Sequence, residues 1–249
     1  VELSLADVAN AGIVVGAALV GRRPIYTVRY QGFMWYNATT IVNYAAKSKD
    51  IWGVSCPIFL RSIGMEGNGI GPVTTAAQHG LVMRMPGIPV CAPMSPGEWR
   101  EVWEWFMAHD DPIYVSESRK SFSIGYEFEN VVKPGADITL FPISAARLNA
   151  IEAVQILEQE GIKCNIVHLL WLKPFTPTNK MLLALNDSKC GLVIDSDFEI
   201  GGPSRSLAYD LMHESKTPVF TLGLEDRTAG VAKYLDNGTP EPDRICKTV

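Results

Sequence analysis

Cysteine and histidine are sparse in this 249-residue chain, five of one and four of the other, and neither forms a pattern. Cys56, Cys91, Cys164, Cys190 and Cys246 include no Cys-x-x-Cys pair, and His79, His109, His168 and His213 do not cluster with them. A zinc site or a disulfide framework is therefore not expected, and cysteines within apolar segments read as small core residues in a reducing compartment. Excess positive charge is also missing. Twenty-two Lys and Arg against 27 Asp and Glu leave a net charge of −5 with no basic block, which excludes nucleic acid as the expected partner. The longest apolar run, residues 11–21, falls short of the ~20 residues that cross a bilayer, so no membrane is expected. No charged segment followed by an apolar core opens the chain. The expectation is a soluble, cytoplasmic protein, with an organelle matrix as the other compatible setting. What is present, 47% hydrophobic and 20% charged residues, suits a globular chain of one large or two modest domains.

Short apolar runs alternate with helical patterns throughout, which predicts an α/β fold with mainly parallel sheets. In the second half, strands are expected at 137–142, 164–170, 191–195 and 218–222. Helices are expected from a Ser144 cap to about residue 160, from Thr178, and over 204–214. In the first of these, Leu148, Ile151, Val154 and Leu157 share one face, and Gly161 stops it. In the first half, helices are expected over 4–20, 33–49 and 74–83, and one more capped by Ser95 with Trp99, Val102, Trp103 and Phe106 facing the core. Strands are expected at 24–30, 57–61, 89–92 and 112–115. The predicted organisation is two three-layer α/β domains, 1–118 and 136–249, joined by a linker at 119–135. The first domain starts on a helix, as if its opening strand were lacking or came from elsewhere.

Four features could carry chemistry, and each has a plain structural alternative. Asp7 in Ser4-Leu5-Ala6-Asp7 fits a capping box. His79 in Ala76-Ala77-Gln78-His79-Gly80 fits a polar residue near a helix end. The stretch Gly67-Asn68-Gly69-Ile70-Gly71 resembles part of a phosphate-cradling loop but has no Lys-Ser/Thr, and reads more readily as a turn. Tyr30, Phe33, Trp35 and Tyr36 could fill the core or offer a platform to a flat ring.

The order of these features along the chain is more telling. Asp7, four residues, then Gly12-Ile13-Val14-Val15-Gly16 and on to Arg22-Arg23-Pro24-Ile25 resembles the pyrimidine-domain opening of the β subunits of thiamine-diphosphate-dependent 2-oxoacid dehydrogenases. The similarity continues through Phe33 and Ile41-Val42-Asn43-Tyr44-Ala45-Ala46-Lys47, and resumes at Pro57–Arg61, Ala76–His79, Pro86–Val90 and Asp110-Asp111-Pro112. Residues 160–164 and Leu172-Lys173-Pro174-Phe175 resemble the same proteins' transketolase C-terminal domain. The resemblance implies a pyrimidine-binding domain followed by that C-terminal domain. It further implies that Asp7 hydrogen-bonds N1′ of the cofactor's aminopyrimidine and promotes loss of the C2 proton, and that Phe33 stacks on that ring. Tyr36 is expected beside it as a second cofactor contact, and His79 is expected to face the substrate.

Departures from the family pattern accompany the likeness. Asp7 stands where the family has glutamate, the segment between Arg61 and Ala76 is longer, the helix after His79 is shorter, and residues 223–229 replace a proline-rich stretch. The chain has no Gly-Asp-Gly motif, the family's magnesium-diphosphate grip. The resemblance therefore implies thiamine diphosphate with Mg2+ held by an α-type partner subunit, in an α2β2 heterotetramer, and no metal site on this chain. The implied activity is decarboxylation of a small 2-oxo acid with transfer of the acyl or aldehyde unit, a lipoyl-bearing acceptor protein being a further expected partner. The alternatives are a split transketolase-like ketol transferase or carboligase subunit acting on a ketose, and a catalytically silent structural subunit.

Overall fold

A computed structural model describes residues 1–67, 71 and 74–249. Most of the glycine-rich stretch singled out above, Asn68 to Ile70, lies outside the described residues. No helix among the described residues is long and apolar enough to cross a membrane.

The first half runs α1 (Asp7–Leu19), β1 (Ile25–Val28), α2 (Met34–Asn43), α3 (Ser48–Trp52), β2 (Phe59–Gly64), α4 (His79–Met83), β3 (Val90–Cys91), α5 (Pro96–Ala108) and β4 (Ile113–Ser118). The second half runs β5 (Ile138–Pro142), α6 (Ala146–Gln159), β6 (Cys164–Ile166), β7 (Trp171–Lys173), α7 (Asn179–Ser188), β8 (Gly191–Phe198), α8 (Pro203–Ser215), β9 (Val219–Leu224) and α9 (Pro242–Thr248). The strands form a five-stranded sheet ordered β1-β2-β4-β3-β7 and a four-stranded sheet ordered β6-β5-β8-β9. Pairing is parallel throughout except where β7 meets β3.

Strand alternation sorts the core of the first sheet into two faces. Phe59, Ile113 and Val115 point to α5, where Val102 and Phe106 meet them. Ile58, Leu60 and Tyr114 point the other way, to Val14, Val15 and Ala18 of α1 and Met34 and Ile41 of α2. That second cluster does not stop at the first sheet. It runs on through Phe141, Val193, Leu207 and Leu211, so the two sheets share one continuous apolar core.

Several expectations need correcting. The strand foreseen at 164–170 ends at Ile166, as β6 paired with β5, and a further strand not foreseen, β7, follows at Trp171–Lys173, where it crosses over and adds an antiparallel edge to the first sheet. The helix foreseen over 33–49 breaks at Tyr44 into α2, a 3-10 turn and α3, because the chain bends to sink Ala45 and Ala46 into the core. Gly87, at φ +79°, packs against that bend; a Cβ there would lie 2.1 Å from the Ala46 carbonyl oxygen. Ser144 does not cap α6. Its φ of +50° continues the turn out of β5, and α6 begins at Ala146 without a side-chain cap. The most deeply buried face of α6 is the small one, Ala146, Ala150 and Ala153 with Leu157, while Ile151 and Val154 are half-buried. Ser95 does cap α5, in a reciprocal capping box with Glu98. Trp103 stays 41% exposed, its ring meeting Phe59 edge-on with centroids 5.5 Å apart.

Candidate active site

The carboxyl ends of parallel strands, where the chain must turn and backbone amides are free, are the usual place for a site in such folds. Here the ends of β2, β4 and β8 converge on α4 and on the start of α2, and the converging side chains are polar.

Asp7 is the first residue of α1, and the capping-box reading fails: Ala6 precedes it as the cap and no side chain caps the helix. The carboxylate instead reaches sideways. Its Oδ1 accepts a hydrogen bond of 3.0 Å from Nδ2 of Asn37, a residue with no exposed surface. Asn37 Nδ2 also donates to the Phe33 carbonyl at 3.0 Å, and Asn37 Oδ1 accepts from the Tyr26 hydroxyl at 2.8 Å. Burial, helped by the neighbouring Asp7 charge, pushes the Tyr26 phenol up to about 12, so it stays a donor. The helix N-terminus adds a field that favours a negative charge at Asp7. Asp7 and Tyr36 line an open cavity of about 360 Å³ together with Ala6, Val8 and Ala9.

Phe33 closes a 3-10 turn just before α2 and is half-buried. Tyr30 meets it edge-on with ring centroids 5.7 Å apart, and the tilted Tyr36 ring lies 6.4 Å away. Trp35 and Tyr36 are mostly exposed. Of the four aromatics, none is a deeply buried core residue, so the core-filling alternative is not the arrangement found.

His79 opens α4, which starts five residues later than foreseen because 74–78 form turns. The imidazole has no exposed surface. Its Nδ1 lies 2.8 Å from Ser116 Oγ, and its Nε2 lies 2.9 and 3.1 Å from the two oxygens of Asp195. Asp197 Oδ2 is 3.9 Å from the same nitrogen and accepts from the Gly80 N–H at 2.7 Å. Burial opposes the imidazolium, but Asp195, Asp197 and Glu66 outweigh it and push His79 up to about 9. Glu66, itself fully buried, is raised above the ordinary carboxylate range by loss of water, and Ser118 donates to one of its oxygens at 2.9 Å. Both ring nitrogens of His79 are thus engaged, and in this arrangement the ring does not open onto a cavity that Asp7 lines.

Asp7 and His79 nevertheless belong to one connected system. Gln31, buried in the turn that carries Phe33, donates to Ser116 Oγ at 2.8 Å and accepts from the Gln78 N–H at 2.6 Å. Gln78 in turn accepts from the Trp35 indole at 2.7 Å. Residues 31–37 therefore bridge the Asp7 end and the His79 end. Sequence reasoning missed Gln31, Asn37, Ser116, Asp195 and Asp197. Asp195-Ser196-Asp197 had a legible signal, two acids at the carboxyl end of the apolar strand Gly191–Ile194; Asn37 and Ser116 had none, since their partners are remote in sequence.

A two-sheet parallel α/β chain with such a polar junction belongs to a restricted class, and comparison with known proteins gives the family. Residues 1–123 match the transketolase pyrimidine binding domain and residues 129–245 the transketolase C-terminal domain. The chain belongs to the transketolase-like family that carries these two domains in this order. It is similar to the 2-oxoisovalerate dehydrogenase subunit beta of Bacillus subtilis (strain 168), 26% identical over 78% of this chain and 66% of that protein. It is likewise similar to the acetoin:2,6-dichlorophenolindophenol oxidoreductase subunit beta of Cupriavidus necator, 28% identical over 70% of this chain and 55% of that one. The chain thus spans between half and two-thirds of the length of both relatives. Among solved structures, the inactive β4 tetramer of a split-gene transketolase superposes with a TM-score of 0.78 at 20% identity, covering 99% of this chain and 81% of the other.

Proposed function

We propose that this chain is the β-type subunit of a heteromeric thiamine-diphosphate-dependent enzyme that decarboxylates a small 2-oxo acid and passes on the acyl or aldehyde unit. The observation that carries the reading is the hydrogen-bonded bridge through residues 31–37. It ties an acid on the first turn of α1 to an aromatic platform and to the His79 junction, the three features that the family resemblance assigns to the site.

The residues present suit the pyrimidine half of the cofactor. Asn37 holds one oxygen of Asp7 and leaves Oδ2 uncommitted among the described residues, beside a cavity that Tyr36 also lines. Asp7 is assigned the hydrogen bond to the ring nitrogen N1′, Phe33 the stacking face, and Tyr36 a flanking contact. The shorter Asp7 side chain, relative to glutamate, is steadied by the Asn37 amide, which is itself fixed from behind by Tyr26 and the Phe33 carbonyl. When bound, the cofactor supplies the carbanion-stabilising chemistry. The chain's own part is to hold a proton acceptor and a flat apolar face in fixed relation, which is positioning rather than bond making.

The diphosphate half is assigned to another chain. The sequence has no Gly-Asp-Gly, and magnesium favours oxygen ligands shared with phosphate. The reading therefore includes Mg2+ on an α-type partner and an α2β2 assembly, with a lipoyl-bearing protein as acceptor. The test is C2 proton exchange of thiamine diphosphate with the chain and its partner combined. Exchange accelerated over free cofactor and lost in Asp7→Ala supports the assignment; equal exchange in the variant removes Asp7 from the site. Turnover that requires an aldose acceptor rather than a lipoyl domain would redirect the reading to a ketol transferase.

A further inference from the structure

The contact between the two halves of the chain is unusual in where it falls. α4 is only five residues long, yet three groups from the second half grip it. At its start, the Asp195 carboxylate faces His79 Nε2 through both oxygens, at 2.9 and 3.1 Å. One residue further on, Asp197 accepts the Gly80 N–H, and a Cβ on Gly80 would lie 2.9 Å from the Gly201 oxygen and from the Gly202 Cα. At its end, Lys173 Nζ donates to the Val82 carbonyl at 2.9 Å and also to Met85, satisfying carbonyls that so short a helix leaves open. Among the described residues, the first half contributes one hydrogen-bonding side-chain partner to the His79 ring, Ser116.

We infer that Asp195 is a positioning residue for His79: the C-terminal half of the chain fixes both the ring orientation and the charge of a histidine carried by the N-terminal half. The groups facing His79 from every packed element are Asp195 and Asp197 of β8, Glu66 beyond β2, and Ser116 of β4. Asp195 is the nearest of the charged ones, and it meets the ring where neither partner touches water, both being fully buried. Its attraction is therefore little screened. Asp195 also accepts from the Ser196 N–H at 2.7 Å, so it is itself held in place. Asp195 needs a proton on Nε2, which sets the orientation of the ring, whereas the Ser116 hydroxyl can accept from Nδ1–H or donate to a bare Nδ1, so it is the buried carboxylates that favour the charged ring. The functional weight of this hold rests on the reading of His79 as a site residue, whereas the hold itself does not.

Histidine-ring NMR of the full chain tests it, with His79 assigned by its loss in His79→Gln. The expected result is a wild-type midpoint near 9 that falls by about two pH units or more in Asp195→Asn, since burial then dominates, with partial recovery in Asp195→Glu. A wild-type midpoint at or below the ordinary histidine value, which needs no variant to observe, overturns the inference. So does an unchanged midpoint in a folded Asp195→Asn. Turnover with the partner separates the two claims: a shifted midpoint with turnover untouched by His79→Gln leaves the hold intact and removes His79 from the site.

Discussion

At the scale of single residues, Asn37 shows how a short acid is made useful. One buried amide carries three hydrogen bonds, to Tyr26, Asp7 and the Phe33 carbonyl, so it aligns the acid with the aromatic platform at once. Replacing it with leucine leaves a buried hydroxyl and a carbonyl unpaired. The expected cost is ~1–3 kcal/mol of stability, read from urea denaturation, together with slower C2 exchange while Asp7 is still present. If Asn37→Leu exchanges as fast as wild type, Asp7 does not depend on it. Asp7→Ala should slow exchange by about 10²-fold or more, the usual scale for removing a positioned proton acceptor.

At the scale of elements, the capping box of α5 and the buried pair behind it separate two kinds of stabilisation. Ser95→Ala removes one cap, an expected loss of ~1 kcal/mol. Glu98→Ala removes the cap's other half and also strands Arg147, whose guanidinium is fully buried and lies 2.6 and 2.7 Å from the Glu98 oxygens. That change should cost ~3–5 kcal/mol, because a buried charge loses its counter-charge; denaturation midpoints of the two variants measured side by side check the ranking. The same element shows what the sequence made legible. The cap, the apolar period and the turn glycine Gly161 are local signals, and they placed α5 and the end of α6 correctly. Elements whose limits depend on distant partners were misplaced. β7 is called into the first sheet by β3, and the bend after α2 is set by Gly87 some forty residues on. The site divided in the same way. Asp7, Phe33 and His79 are legible in the sequence because the family resemblance marks their order, and Tyr36 as one of the aromatic set beside Phe33; their roles there are the proposal made above. Asn37, Ser116 and Asp195 became visible only when the chain closed on itself.

At the scale of the whole molecule, the junction between the halves combines a shared apolar core with a buried charged pair. The apolar part holds at any pH, but the pair does not. His79 has a raised value in the folded state, so its contribution is full below the unfolded value of 6.5 and is lost as pH rises through about 9. The difference in melting temperature between wild type and Asp195→Asn should accordingly be largest near pH 6 and shrink by pH 10. A gap that widens over that range would contradict the charged assignment.

The central claim is that this chain supplies the pyrimidine side of a cofactor site and a second chain supplies the diphosphate side. Equilibrium binding of thiamine diphosphate with Mg2+ tests it most directly, measured on the chain alone, with a Gly-Asp-Gly-bearing partner, and with that partner plus Phe33→Ala. The account predicts weak binding alone, tight magnesium-dependent binding with the partner, and a loss of about tenfold in the variant, the worth of one stacked ring. Tight binding by the chain alone, or binding in the complex that is indifferent to Phe33→Ala, would contradict it.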